Sequence, residues 1–138
     1  MDTGYSVADI MTQKVLTISP DKNLYSCAKL MAEKKIGSLV IVDKNNVVGI
    51  LTEQDLARKV VALGIDAART VVSEHMSKHV ITIAPDEDIY TAMVTMGKND
   101  IKHLPVLKDK RLVGIITFKD IIKVEPALIE VISFKSSG

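Results

Sequence analysis

The chain has 138 residues and a mass of 15.1 kDa, with 47% apolar and 25% charged residues. This suits one globular domain, or two half-sized units sharing a core, and excludes a disordered composition. A net charge of +1 provides no strong field toward nucleic acid or an acidic membrane surface, and no apolar run approaches the roughly 18–20 residues that span a bilayer. Residues 1–5 carry no basic stretch followed by an apolar one, so they do not read as a signal peptide. The lone Cys27 excludes an internal disulfide and fits a reducing, cytoplasmic location. Trp is absent and aromatics are 4%, so there is no stacking platform for single-stranded nucleic acid.

Residues 15–18 form a short β-rich run, closed by Ser19-Pro20-Asp21. Proline fixes φ, and Asp21 is expected to cap the helix that follows. Leu24, Cys27, Ala28, Leu30 and Met31 then recur at helical spacing. Residues 38–42 are an apolar β-run, Lys44-Asn45-Asn46 a hairpin turn, and residues 47–51 the returning strand. A second helix is expected over 54–63, with Gly64 as its C-cap.

Residues 65–71 link to a second series: strand 80–83, helix 88–98, strand 103–107, turn Lys108-Asp109-Lys110, strand 112–116 and helix 118–124. After Pro126, residues 127–134 have the pattern of an amphipathic helix, and residues 135–138 are expected to fray. Leu128, Ile129, Ile132 and Phe134 could cover the chain's own core or pack on a second chain.

The two series are one motif repeated. Sliding the chain by 65 positions pairs Val7 with Val72 and holds register without a gap to Arg58 and Lys123. Met11 meets Met76, Pro20-Asp21 meets Pro85-Asp86, and Val48-Gly49-Ile50 meets Val113-Gly114-Ile115. Thr52 and Asp55 meet Thr117 and Asp120. Chance similarity does not keep register through so many turn and apolar positions. A three-stranded sheet with helices on one face leaves the other bare, so the copies are expected to pack together as one bilobal α/β domain.

Over nearly its whole length this pattern resembles the CBS-domain pair, or Bateman module. Val7-Ala8-Asp9-Ile10-Met11, Val15-Leu16-Thr17-Ile18-Ser19-Pro20-Asp21 and Ile36-Gly37-Ser38-Leu39-Val40-Ile41-Val42-Asp43 carry the resemblance in the first copy. Ile101-Lys102-His103-Leu104-Pro105-Val106-Leu107 carries it in the second, and the repeated Gly-Ile-x-Thr-x-x-Asp is its most specific element. The resemblance implies an α/β fold of the α+β type: two tandem β-α-β-β-α motifs, at 7–64 and 72–124, packed sheet to sheet with pseudo-two-fold symmetry, then a C-terminal helix at 126–134. It further implies clefts that bind AMP, ADP or ATP, or in some members S-adenosylmethionine or NAD, and assembly into a homodimer.

Thr52-x-x-Asp55 and Thr117-x-x-Asp120 have a structural reading and a functional one. As capping boxes, Thr caps a helix and the acidic residue completes its first turn. As ligand groups, free N–H donors at the helix start suit phosphate and the carboxylate suits ribose hydroxyls. The two can coexist. The resemblance adds, by position, Thr17 and Thr82 on the first strand, Ser38 and the Lys102-His103 pair at the start of the second, and Ile50 and Ile115 beside the strand glycines. Only the second copy brings charge here, so its site around Asp120 is expected to favour phosphate-bearing ligands.

His75 and His79 are spaced i,i+4, but the repeat puts them ahead of a strand and no further ligand sits at a fixed offset, so no metal site is read. Cys27 aligns with Ala92 on a core face and reads as a small hydrophobe. Glu53 faces Phe118 between the copies, so no acid–base set is shared and no enzyme is read. The expected function is a sensor of adenine nucleotide as a regulatory ligand, with no obligatory cofactor, signalling in trans to an effector protein the sequence does not identify. An interaction scaffold with vestigial clefts is the alternative. Nucleic-acid binding is disfavoured by charge and composition.

Overall fold

The computed structural model describes residues 1–132. Phe134 and the expected frayed end at 135–138 lie outside the described residues. The chain divides into two compact units, Leu16–Val80 and Met1–Val15 joined to the chain from Ile81 onward. Each contains one copy's hairpin and helices together with the segment that leads, in sequence, into the other copy. A slide of the sequence against itself cannot show this exchange.

In the first-copy unit, β1 (Thr17–Ile18) pairs in parallel with β2 (Ser38–Asp43), which pairs antiparallel with β3 (Asn46–Thr52). Lys44 and Asn45 turn the hairpin at φ 51° and 67°, the double positive φ of a two-residue turn matched to strand twist. Between β1 and β2, α2 (Leu24–Lys34) buries Leu24, Cys27 and Met31 on one stripe, against Leu39, Ile41, Leu51, Val60 and Val72. Its cap is Asn23, whose side chain accepts the Ser26 N–H at 2.7 Å. Asp21 instead accepts the Ser19 hydroxyl, which corrects the expected cap: the chain needs two further residues before its backbone turns helical. Burial pushes the Cys27 thiol from 9.0 to about 11, as desolvation penalises the thiolate.

The second-copy unit is built alike. Hairpin β4 (His103–Lys108) and β5 (Arg111–Thr117) turns through Asp109 and Lys110 at φ 50° and 67°. Asp88 caps α4 (Ile89–Asn99), which buries Ile89, Ala92, Met93 and Met96. A short helix, α1 (Val7–Ile10), contributes Val7 to the core beside Leu104, Val106, Ile116 and Ile121.

Four expected elements differ. The strand at 15–18 spans only Thr17–Ile18, and at 80–83 only Ile83 forms a parallel bridge, to Val106. Pro105 stands where the first copy has Val40 and has no N–H, so the ladder ends at Ile83. The helix expected over 54–63 is one turn of α-helix, α3 (Glu53–Asp55), followed by a π-helix at Leu56–Val61; periodicity cannot separate the two hydrogen-bonding patterns over so short a run. Its counterpart, α5 (Phe118–Val124), is α-helical. The terminal helix is a 3₁₀ segment, Pro126–Glu130. Leu128 and Ile132 cover the chain's own core, and Ile129 is exposed.

The leading segments are held by backbone pairing across the strand glycines. Thr12 exchanges two hydrogen bonds with Ile115, and Ser77 two with Ile50. Met11 then lies on Gly114 and Met76 on Gly49. A Cβ at Gly114 would meet the Thr12 carbonyl oxygen at 3.0 Å as well as Met11, whereas at Gly49 its nearest atoms all belong to the Met76 side chain. A methionine can turn aside and a hydrogen-bonded carbonyl cannot. Gly114→Ala is therefore expected to destabilise by about 1–3 kcal/mol, and by more than Gly49→Ala, in chemical denaturation. The reverse order would show that the Thr12 backbone yields.

Candidate functional site

Both hairpins run directly into a helix, and the junction is the same in each. Thr52 and Thr117 keep extended backbone, at φ −115° and −118°, as N-cap residues. Thr52 Oγ1 accepts the Asp55 N–H at 3.2 Å, and the Thr52 N–H donates to Asp55 Oδ2 at 2.9 Å. Thr117 and Asp120 repeat this at 3.2 and 3.1 Å. The capping reading thus holds in both copies, and each carboxylate is fixed by one oxygen.

Strand register brings more predicted residues to these corners. Ser38 lies opposite Thr52 and His103 opposite Thr117. The carbonyls of Gly37 and Lys102 accept the Glu53 and Phe118 N–H groups, each at 3.0 Å. The expectation of a free row of N–H donors is corrected by these bonds. Of the first-turn donors, those of Gln54 and Lys119 are left unengaged among the described residues. Ile50 and Ile115 are half-buried and tied through their backbones to Ser77 and Thr12. Thr17 and Thr82 are exposed and lie one strand over: Thr17 is opposite Val40, and Thr82 precedes the bridge from Ile83 to Val106.

Lys59 and Ser77 also belong to the first corner, and sequence reasoning missed both. Lys59 Nζ is 3.1 Å from Asp55 Oδ1, the oxygen the capping box leaves over, and 3.4 Å from Ser77 Oγ. The signal for Lys59 was its i,i+4 spacing from Asp55; Ser77 aligns with Thr12 in the repeat. In the second copy Val124 takes the place of Lys59, and Asp120 is in no ion pair among the described residues. There Lys102 Nζ stands 5.6 Å from the centre of the Phe118 ring, within cation–π range.

Elsewhere, His75 ends a 3₁₀ turn and His79 is exposed beyond a bend, so their spacing does not put them on one helix face. Among the described residues no group of three or more His, Cys, Asp or Glu is placed to hold a metal ion. Two shallow depressions of about 450 and 550 Å³ are lined by Asp2, Asp9, Asp86 and Asp88 with their neighbours, and by Lys108, Asp109, Arg111 and Val113. Neither contains a predicted site residue. No helix of the described residues is long and apolar enough to cross a membrane.

The twin corners, each with its hairpin and Thr-x-x-Asp, agree with a match of the CBS domain family to residues 7–62 and 72–127. The chain belongs to the CBS-domain family. Among curated relatives, the CBS domain-containing protein YhcV of Bacillus subtilis is 34% identical over 84% of this chain and 82% of its own. The uncharacterized protein MK0525 of Methanopyrus kandleri is 38% identical over 92% of this chain, which spans 66% of that protein.

Three CBS-family structures share the fold. A putative signal-transduction protein with CBS domains from Burkholderia ambifaria superposes with a TM-score of 0.83 at 34% identity, covering 88% of this chain and 95% of its own. The CBS domain pair of protein MJ0100, solved in complex with 5-methylthioadenosine and S-adenosyl-L-methionine, has a TM-score of 0.81 at 31% identity and coverages of 89% and 97%. A hexameric CBS-CP12 protein from bloom-forming cyanobacteria has a TM-score of 0.81 at 31% identity, with coverages of 91% and 70%. The expected α/β fold with two CBS copies is therefore observed.

The boxes contribute to stability without any ligand. Thr117→Ala is expected to lower ligand-free stability by about 1 kcal/mol, and Thr117→Ser to retain most of it, in urea titrations of unchanged slope. No loss in the alanine variant would mean that the corner is held by strand pairing alone.

Proposed function

We propose that this chain is a regulatory module that binds an adenosine-containing ligand, preferentially an adenine nucleotide, at the Thr52–Asp55 and Thr117–Asp120 corners. The observation that carries the reading is the repeated carboxylate fixed by one oxygen. A capping box with a spare acceptor presents a rigid carboxylate, and a ribose diol can donate both hydroxyls to such a group. The Thr hydroxyls accept within the box and keep their own protons to donate. Support also comes from the MJ0100 pair, whose two bound molecules are both adenosine compounds. That neighbour favours S-adenosylmethionine as the second reading of ligand identity.

The second-copy corner is the stronger site in this reading. Asp120 is in no ion pair among the described residues, and Lys102 precedes the strand whose first residue lies opposite Thr117 and reaches the Phe118 ring. The first corner must release Lys59 before Asp55 can accept a diol. Ligand binding biases the chain between states that a partner protein distinguishes, by no more than its difference in affinity for them. The output acts in trans in the cytoplasm, and self-association, a homodimer in the simplest case, supplies a surface for the readout.

Titration calorimetry with AMP, ADP, ATP, S-adenosylmethionine and NAD tests this. Asp120→Ala is expected to weaken the preferred ligand about ten- to a hundredfold, the effect of losing a charge-assisted hydrogen bond. Unchanged affinity removes Asp120 from the site, and silence toward all five ligands favours a scaffold.

A further inference from the structure

Resting on the reading of Thr52–Asp55 as a site for adenosine ligands, we propose that Lys59 makes this first-copy site selective for phosphorylated over neutral adenosine ligands. The two copies keep the same Thr-x-x-Asp corner and differ one helical turn later, where Lys59 aligns with Val124. Lys59 Nζ holds Asp55 Oδ1 at 3.1 Å and reaches Ser77 Oγ at 3.4 Å. The Asp55 side chain is 13% exposed and that of Lys59 43%, so the carboxylate is sheltered while the ammonium remains accessible. The copy that carries the lysine is also the one whose helix opens into a π-turn, at Leu56–Val61, whereas Phe118–Val124 stays α-helical. Such turns mark positions where local helix geometry departs from the stable default.

The exchange at this corner sets the selectivity. A ribose diol that binds Asp55 through Oδ1 must displace the ammonium. With a neutral nucleoside, Lys59 keeps only the Ser77 hydroxyl and water as partners. With a nucleotide, the phosphate replaces the carboxylate as its counter-ion, and the flexible lysine stem lets the ammonium follow. Few backbone donors are open at this corner, with the Glu53 and Asp55 N–H groups both engaged, so the lysine is the main group that registers a phosphate. At the second copy Asp120 is in no ion pair among the described residues, so this exchange does not operate there.

Calorimetry with adenosine and AMP decides the matter, using the Asp120→Ala chain so that binding at the first copy is read. AMP is expected to bind at least tenfold more tightly than adenosine. Lys59→Met keeps the apolar stem and removes the charge; it is expected to strengthen adenosine several-fold and weaken AMP about tenfold, closing the gap. Lys59→Arg is expected to preserve the preference. An unchanged AMP-to-adenosine ratio in Lys59→Met overturns the inference alone, as does wild-type binding that Asp120→Ala abolishes entirely. If the wild-type chain binds neither compound, the inference is overturned; only silence toward ADP, ATP, S-adenosylmethionine and NAD as well brings down the ligand reading with it.

Discussion

The reciprocal pair of hydrogen bonds between a threonine and the aspartate three residues on fixes the geometry on which the rest depends. The Thr backbone must stay extended to end the strand, and its hydroxyl must accept the Asp N–H to begin the helix. Both demands are met at one residue, so strand and helix join without a loop. The carboxylate is a structural partner by one oxygen and a chemical resource by the other. A feature that first reads as ordinary capping therefore produces a rigid acceptor at the end of each hairpin.

The copies share this corner but elaborate it with opposite chemistry. In the first, an ion pair within the helix occupies the spare oxygen, and a serine from the segment leading into the second copy completes the cluster. In the second, Val124 stands in place of the lysine, Asp120 is in no ion pair among the described residues, and the cation comes from the strand start, over an aromatic ring. Charge is thus present at both corners, placed differently. An ion pair of this kind is worth at most about 1 kcal/mol to stability, so its larger consequence is for which ligand can take the carboxylate.

Much of this was legible in the sequence, because duplication prints every element twice. Gap-free register identified the hairpins, the helical stripes and the corners; Leu24, Cys27 and Met31 are buried as the period requires. What escaped is what a self-comparison cannot contain. Register shows that residues 7–11 resemble 72–76, yet not that each of these segments packs with the other copy's hairpin. Pro105 was visible, but its effect depends on which strand it faces. The π-turn and Lys59 escaped together: a single turn has too few residues to define its period, and an i,i+4 ion pair on a helix usually has no further meaning. The expected asymmetry of charge rested on Lys102 and His103 alone and left out the cation one turn into the first copy's helix.

The central claim is that the two carboxylate corners serve an adenosine-containing ligand. Mass spectrometry of small molecules released by denaturing protein that was purified under native conditions tests it most directly. The account predicts a released species containing adenosine, lost from the preparation when Asp55 and Asp120 are both changed to alanine in a chain that still folds. Release of a compound without adenosine, or retention of the adenosine compound by the folded double variant, would contradict it.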